Sequence, residues 1–361
     1  IVEYCDQNKW NSIWYTEHHF NHEGMESCTN PLMMGVDAAA RTKQIRIGQA
    51  CNVITFHNPI QMAEDVALLD QLSKGRVEVG IGRGIYGREA VNLNIEADMK
   101  DQAKNFRLFE ETLTILKKAW KEKFFDHKGE FYTYPSPDYV WQHDMSKPSE
   151  EFMDMETNVM KKISVLPKPY QKPYPPIGLA GSSFNSGTLK VAGEKGFIPM
   201  SIGAGGDFLK SHWDSVSEGA LKAGLKPDRR NWRVLRDIWV ADTDEEAINY
   251  ARNGMLSRAW EEYLLPIFKE GANPTIHGYK HDLSVKTEDV NAEYMLEHIW
   301  MVGSPETVAN KIRKLFEISG GFGVLLGQVL DYSENKENWH KSLRLLSEKV
   351  IPSLKDLKID D

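Results

Sequence analysis

Short runs of β-branched and apolar residues alternate along the chain with longer stretches of helical spacing, and this rhythm restricts the fold more than any other feature. A strand, a helix and a second strand in that order form the crossover unit of a parallel sheet. Candidate strands cover 12–16, 45–53, 77–82, 177–180, 197–201, 234–241 and 322–326. The best-marked unit joins the second to the third. Pro59 stands at a first-turn position, Met62, Ala63, Val66, Leu69 and Leu72 recur at helical spacing, and Lys74-Gly75 marks the stop. Thr243-Asp244-Glu245-Glu246 is a capping box, and Ser304-Pro305-Glu306 opens another helix. The rhythm predicts an α/β protein, a (β/α)8 barrel that is complete once an eighth strand is added. The chain opens inside a helical stretch, Ile1-Val2-Glu3-Tyr4-Cys5, so the missing first strand is expected before Ile1.

With 361 residues the chain is large for one core but within the range of a single barrel domain, which is the expectation for 1–361. No apolar run approaches the roughly 18 residues of a membrane span. The net charge of −8 disfavours nucleic acid and anionic lipid as partners, so any bound phosphate must be held by local groups. Cys5, Cys28 and Cys51 are odd in number and lack metal-ligand spacing, which fits a cytoplasmic protein without a disulfide framework. Two stretches break the rhythm. Residues 124–176 form a long excursion rich in aromatics and charge, and the prolines of 166–176 forbid a helix. Residues 266–292, with Gly271, Pro274 and Gly278, read as a lid over the active site or as a disordered loop.

Three clusters can carry chemistry. Glu17-His18-His19-Phe20 follows the first strand, and catalytic groups of a barrel sit at the carboxyl ends of its strands. An imidazole there exchanges protons at neutral pH; the alternative is a histidine pair that merely caps the strand. Alternation along a strand would send the two rings to opposite sides, which also disfavours a hydrolytic metal site built from Glu17, His18 and His19. Gly80-Ile81-Gly82-Arg83-Gly84-Ile85-Tyr86 lets backbone approach a ligand closely and offers a guanidinium to phosphate, yet its spacing is not the dinucleotide fingerprint. Gly181-Ser182-Ser183-Phe184-Asn185-Ser186-Gly187-Thr188 follows a later strand and precedes a helix, which suits phosphate binding and plain helix capping equally.

Glu17-His18-His19-Phe20, the stretch from Asn58-Pro59 to Lys74-Gly75-Arg76 running into Gly80-Ile81-Gly82-Arg83-Gly84, and Val302-Gly303-Ser304-Pro305-Glu306-Thr307 together resemble the bacterial luciferase-like flavin-dependent monooxygenases. The resemblance implies a luciferase-like barrel with its first strand before Ile1, reduced FMN as co-substrate, and oxidation of a small, apolar molecule through a flavin C4a-(hydro)peroxide. It implies His18 as the acid/base, with Glu17 and His19 behind it, and Arg83 on the FMN phosphate. Ala50-Cys51 matches a dipeptide beneath the flavin ring, often cis in the family; Gly82 and Tyr86 line the same site. Ser182, Asn185 and Thr188 match a second phosphate-binding segment. Gly82 replaces a reactive cysteine of the light-emitting members, which argues against light emission here. With no second nucleotide motif, a separate flavin reductase is expected to supply FMNH2, and a homo- or heterodimer is expected. No metal is expected. The alternatives are a deazaflavin-dependent hydride-transfer enzyme and a non-catalytic flavin-binding relative.

Overall fold

Helices begin where the sequence supplies their caps. In the computed structural model, which describes residues 1–142, 149–270, 275–328 and 335–359, Asn58 accepts the amides of Ile60 at 2.9 Å and Gln61 at 3.3 Å, and Lys74 closes that helix in the left-handed region. Thr243 and Ser304 each accept the amide three residues on, as the capping motifs require. The chain divides into two compact units, one formed by Val2–Phe20 with Ser27–Ile177 and the other by Gly178 onward with Asn21–Glu26 and Ile1.

The N-terminal unit contains β1 (Ser12–Tyr15), β2 (Arg46–Gln49), the two-residue β3 (Asn52–Val53) and β4 (Val77–Gly82). β1 pairs in parallel with β2, β2 with the start of β4, and β3 with its end, where Asn52 faces Ile81 and Val53 faces Gly82. Helix α1 (Val2–Gln7) precedes β1, and α2 (Pro31–Arg41), α3 (Pro59–Ser73), α4 (Gly87–Leu93) and α5 (Gln102–Lys121) follow strands of this unit. Ile47, Val77, Val79 and Ile81 of the strands are buried, as are Val66 and Leu69 of α3 and Leu113 and Leu116 of α5. Each such side chain contributes roughly 1.5–3 kcal/mol by leaving water. The strand expected over 45–53 is two strands, β2 and β3, with the cis Ala50–Cys51 peptide between them. Within the excursion 124–176, β5 (His127–Lys128) pairs antiparallel with β6 (Thr133–Tyr134), and Phe125 bridges to Ile163. Residues 143–148 of this stretch lie outside the described residues.

The C-terminal unit holds β7 (Ile177–Gly181, from Gly178 on), β8 (Ile198–Ser201), β9 (Arg233–Val240), β10 (Met301–Gly303) and β11 (Val324–Gln328), all parallel. β9 is the hub: its first residues pair with β8 and β11 and its last three with β10. The sequence does not reveal β10, since three residues are too few for a periodic signal. Helices α6 (Gly187–Lys195), α7 (Gly206–Lys222) and α8 (Asp244–Asn253) accompany these strands. Trp232, Trp260 and Trp300 are its largest fully buried side chains, so Trp300 belongs to the core.

The stretch 266–292 is only partly open. Gly271 and Pro274 lie outside the described residues. The short helix Thr275–Tyr279 is packed into the C-terminal unit: Ile276 and Tyr279 are buried, and the Gly205 amide donates to Gly278 O at 2.7 Å. Residues 281–284 are exposed. Among the described residues no helix is long and apolar enough to cross a membrane.

Candidate active site

β1 ends at Tyr15, so Glu17, His18 and His19 lie beyond the ladder and strand alternation does not apply to them. The expectation that neighbouring rings point to opposite faces therefore lost its premise. What orients this segment is a set of specific bonds. The His18 amide donates to Cys28 O at 2.9 Å, the His19 amide to Glu89 Oε1 at 2.7 Å, and the Val53 amide to Glu17 Oε2 at 2.7 Å.

Two buried carboxylates organise the histidines. Glu17 Oε1 meets His19 Nε2 at 3.0 Å and His57 Nε2 at 2.7 Å. Burial pushes the Glu17 carboxyl up, but the bonds from His19, His57 and the Val53 amide outweigh it and hold the group below its ordinary range. Burial alone would lower His57, yet the Glu17 carboxylate holds it above the usual imidazole value. Glu89, on α4 and 1% exposed, brings Oε1 to 3.4 Å from His18 Nδ1. At this distance the contact is electrostatic and not a hydrogen bond; a hydrogen on the Nδ1 that faces the carboxylate would leave Nε2 for proton exchange. The Tyr86 ring stands against His18 with centroids 5.3 Å apart.

Gly82, Arg83 and Tyr86 follow or end β4, while Ala50 and Cys51 follow β2. A Cβ on Gly82 would lie 3.3 Å from Cys51 Cβ, so a glycine keeps the gap between these strand ends open. Arg83 donates to Asn105 Oδ1 at 3.3 Å, and its guanidinium lies 5.7 Å from the Phe106 ring centroid. Among the described residues no carboxylate pairs with it, and burial lowers its pKa. A half-buried cation without a counter-charge, beside glycines at strand ends, fits a ligand that brings a phosphate.

Thus the N-terminal unit brings together His18, Glu17, His19, Ala50, Cys51, Gly82, Arg83 and Tyr86. Ser182, Asn185 and Thr188 belong to the C-terminal unit. There the cap of α6 is Ser186, whose buried Oγ accepts the Leu189 amide at 3.3 Å. Asn185 adopts a φ of 49° and donates its amide to Ser211 Oγ at 3.2 Å; Ser182 is half-buried, and Thr188 lies in the first turn of α6. The turn is fixed from behind by His212, whose Nε2 lies 2.9 Å from Ser183 O and Nδ1 3.0 Å from Ser201 Oγ. Burial pulls His212 down to about 4, so it is neutral and Nε2–H donates to the carbonyl. Sequence reasoning missed His57, Glu89, Asn105 and His212, because each gains its role from partners distant in the chain. Among the described residues no group of three or more His, Cys, Asp or Glu could hold a metal ion.

A model of the luciferase-like monooxygenase family matches residues 1–321, and the chain belongs to that family. 3,6-Diketocamphane 1,6-monooxygenase of Pseudomonas putida is 32% identical over 337 residues, covering 91% of this chain and 85% of the relative. 2,5-Diketocamphane 1,2-monooxygenase 2 of the same species is 30% identical over 98% of this chain and 92% of its own. Among solved structures, the oxygenating constituent of 3,6-diketocamphane monooxygenase from Pseudomonas putida, a type II Baeyer–Villiger monooxygenase in complex with FMN, superposes with a TM-score of 0.82 at 30% identity, covering 97% of this chain and 90% of that one. The barrel class expected from the strand–helix rhythm, and its luciferase-like form implied by the resemblance, are the fold class of this chain.

Proposed function

We propose that this chain is the oxygenating component of a two-component flavin monooxygenase, which takes reduced FMN from a separate reductase and uses dioxygen to insert oxygen beside the carbonyl of a small apolar ketone. The observation that carries the reading is Arg83, a desolvated guanidinium with no carboxylate partner among the described residues, in the family's flavin-site motif. The two diketocamphane relatives and the FMN-bound Baeyer–Villiger structure support the substrate class and the cofactor. Reduced flavin, when bound, supplies the two electrons that dioxygen activation requires. Arg83 binds the phosphate through a charge-assisted fork. Gly82 and the Ala50–Cys51 backbone leave room for a flat ring, and Tyr86 lines the same side. His18, whose Nδ1 faces the Glu89 carboxylate, accepts and returns protons at Nε2 during the oxidation. Net, ketone, dioxygen and reduced flavin give ester or lactone, water and oxidised flavin.

Anaerobic calorimetry with reduced FMN, reduced FAD and a reduced deazaflavin tests the cofactor, and turnover of cyclic ketones under 18O2 tests the reaction. Tightest binding to FMN and one labelled oxygen in the ester are expected. Preference for the deazaflavin with hydride transfer, or flavin binding with no product from any ketone, would overturn the reading.

A further inference from the structure

His57 lies just ahead of the α3 cap, outside every motif that marks the site, and its ring reaches back to the segment after β1. Its Nε2 is 2.7 Å from Glu17 Oε1, the same oxygen that His19 Nε2 meets at 3.0 Å. The Glu17 side chain is fully buried, while the His57 ring is 36% exposed and the His19 ring 17%. For both contacts to be hydrogen bonds, each ring must carry hydrogen on Nε2. A buried carboxylate also needs a positive partner, and among the described residues no lysine or arginine pairs with Glu17. The compensating proton therefore has to sit on one of the two imidazoles, and the more exposed ring is the one that solvent can charge.

We propose that His57 is a positioning residue: by holding the added proton against Glu17 it neutralises that carboxylate and leaves His19 to donate its Nε2–H to the same oxygen. The consequence reaches His18 through Glu89, whose Oε1 takes the His19 amide and faces His18 Nδ1. The charged groups facing His57 are Glu17 and, from α3, Asp65; both raise its affinity for a proton, against the opposing effect of burial. When His57 loses its proton as pH rises, the trio is left with one uncompensated negative charge beside the working imidazole. The proposal rests on the reading of the His18 segment as the oxidation site.

The test uses His57→Gln, which keeps a donor of similar reach but cannot charge, and His57→Leu, which removes both functions. Imidazole 15N spectra of the flavin-free full chain are read first, then kcat and KM for ketone oxidation against pH. In both variants the charge balance around Glu17 should change, read as an altered His19 imidazole 15N spectrum relative to the unmodified protein. His57→Gln should recover the melting temperature lost in His57→Leu but not the pH profile. The kcat of His57→Leu should drop by about 10–100-fold, the usual range for residues that orient a working ligand, with KM within about threefold. An unchanged His19 spectrum together with an unchanged pH profile in His57→Gln would overturn the proposal. If no ketone is oxidised by any form, the functional reading fails, and the flavin-free spectra still decide the role of His57.

Discussion

Arg83 and His18 owe their chemistry to one neighbour each. Arg83 has Asn105 as its hydrogen-bond partner and no opposite charge among the described residues, so on the proposed reading a ligand phosphate offsets its desolvation. Arg83→Ala should weaken reduced FMN binding by about 2–4 kcal/mol, the usual loss for a charge-assisted pair, while riboflavin binding stays nearly the same. Calorimetry with the two ligands checks this; equal weakening of both would make Arg83 a structural residue. His18→Ala should cut ketone oxidation by roughly 10²–10⁴-fold, the common share of general acid/base catalysis, and raise hydrogen peroxide release. His19→Ala, which removes one donor from Glu17, should lower thermal stability and have the smaller effect on turnover per folded enzyme. If His19→Ala is the inactive variant and His18→Ala nearly normal, the roles are interchanged. His18, Arg83 and Gly82 were legible in the sequence because each lies inside a short motif. Glu89 and His57 were not: their partners lie 70 and 40 residues away in the chain, and only folding brings them together.

At the scale of elements, helix ends were the most readable feature, because a cap is a bond between residues three apart, as at Thr243 and Ser304. Strand ends were the least. The run 45–53 reads as one strand in the sequence yet is two in the structure, on either side of the Ala50–Cys51 peptide, and Met301–Gly303 is too short to show a period. The stretch 266–292 looked open from its glycines and charges. One of those glycines, Gly278, is instead where two backbones meet: a Cβ there would come within 2.5 Å of Gly203 O and 2.9 Å of Ser182 O. Gly278→Ala should destabilise the protein by roughly 1–3 kcal/mol, the cost of overpacking against backbone that cannot yield. Thermal melts check the loss. Limited proteolysis of the parent chain should cut within the exposed residues 281–284 before the packed helix Thr275–Tyr279. Cleavage inside that helix first would mean that its packing is weaker than its burial implies.

For the molecule as a whole, buried charge ties stability to pH. Asp237 is buried on β9, where its carboxylate has the Trp260 indole N–H at 3.4 Å, and burial pushes it up to about 7. An unfolded aspartate titrates near 4, so between about pH 4 and 7 the native state binds a proton that the unfolded state has released. The native carboxyl is then the more protonated of the two, and stability falls as pH rises through this window. The contribution is fully present below the unfolded value and is lost by the time pH passes the folded one. Asp237→Asn should therefore flatten the fall in melting temperature between pH 4 and 7. Parallel melting curves of variant and parent over this range would show Asp237 already ionised at low pH.

The sequence by itself determined the alternation of most strands and helices, several helix caps and the luciferase-like class, and it singled out His18 and Arg83 as candidates for the chemistry. These follow from local periodicity, turn chemistry and short motifs, all of which act between residues close in the chain. The tertiary structure decided what those side chains can do. Placing Glu89 on His18, His57 and His19 on one oxygen of Glu17, and Asn105 on Arg83 required strand ends and helices from different crossovers to converge. Burial, which sets the direction for His212 and Asp237, and the hydrogen bonds that outweigh it at Glu17 and His57, likewise exist only once the chain has closed around them.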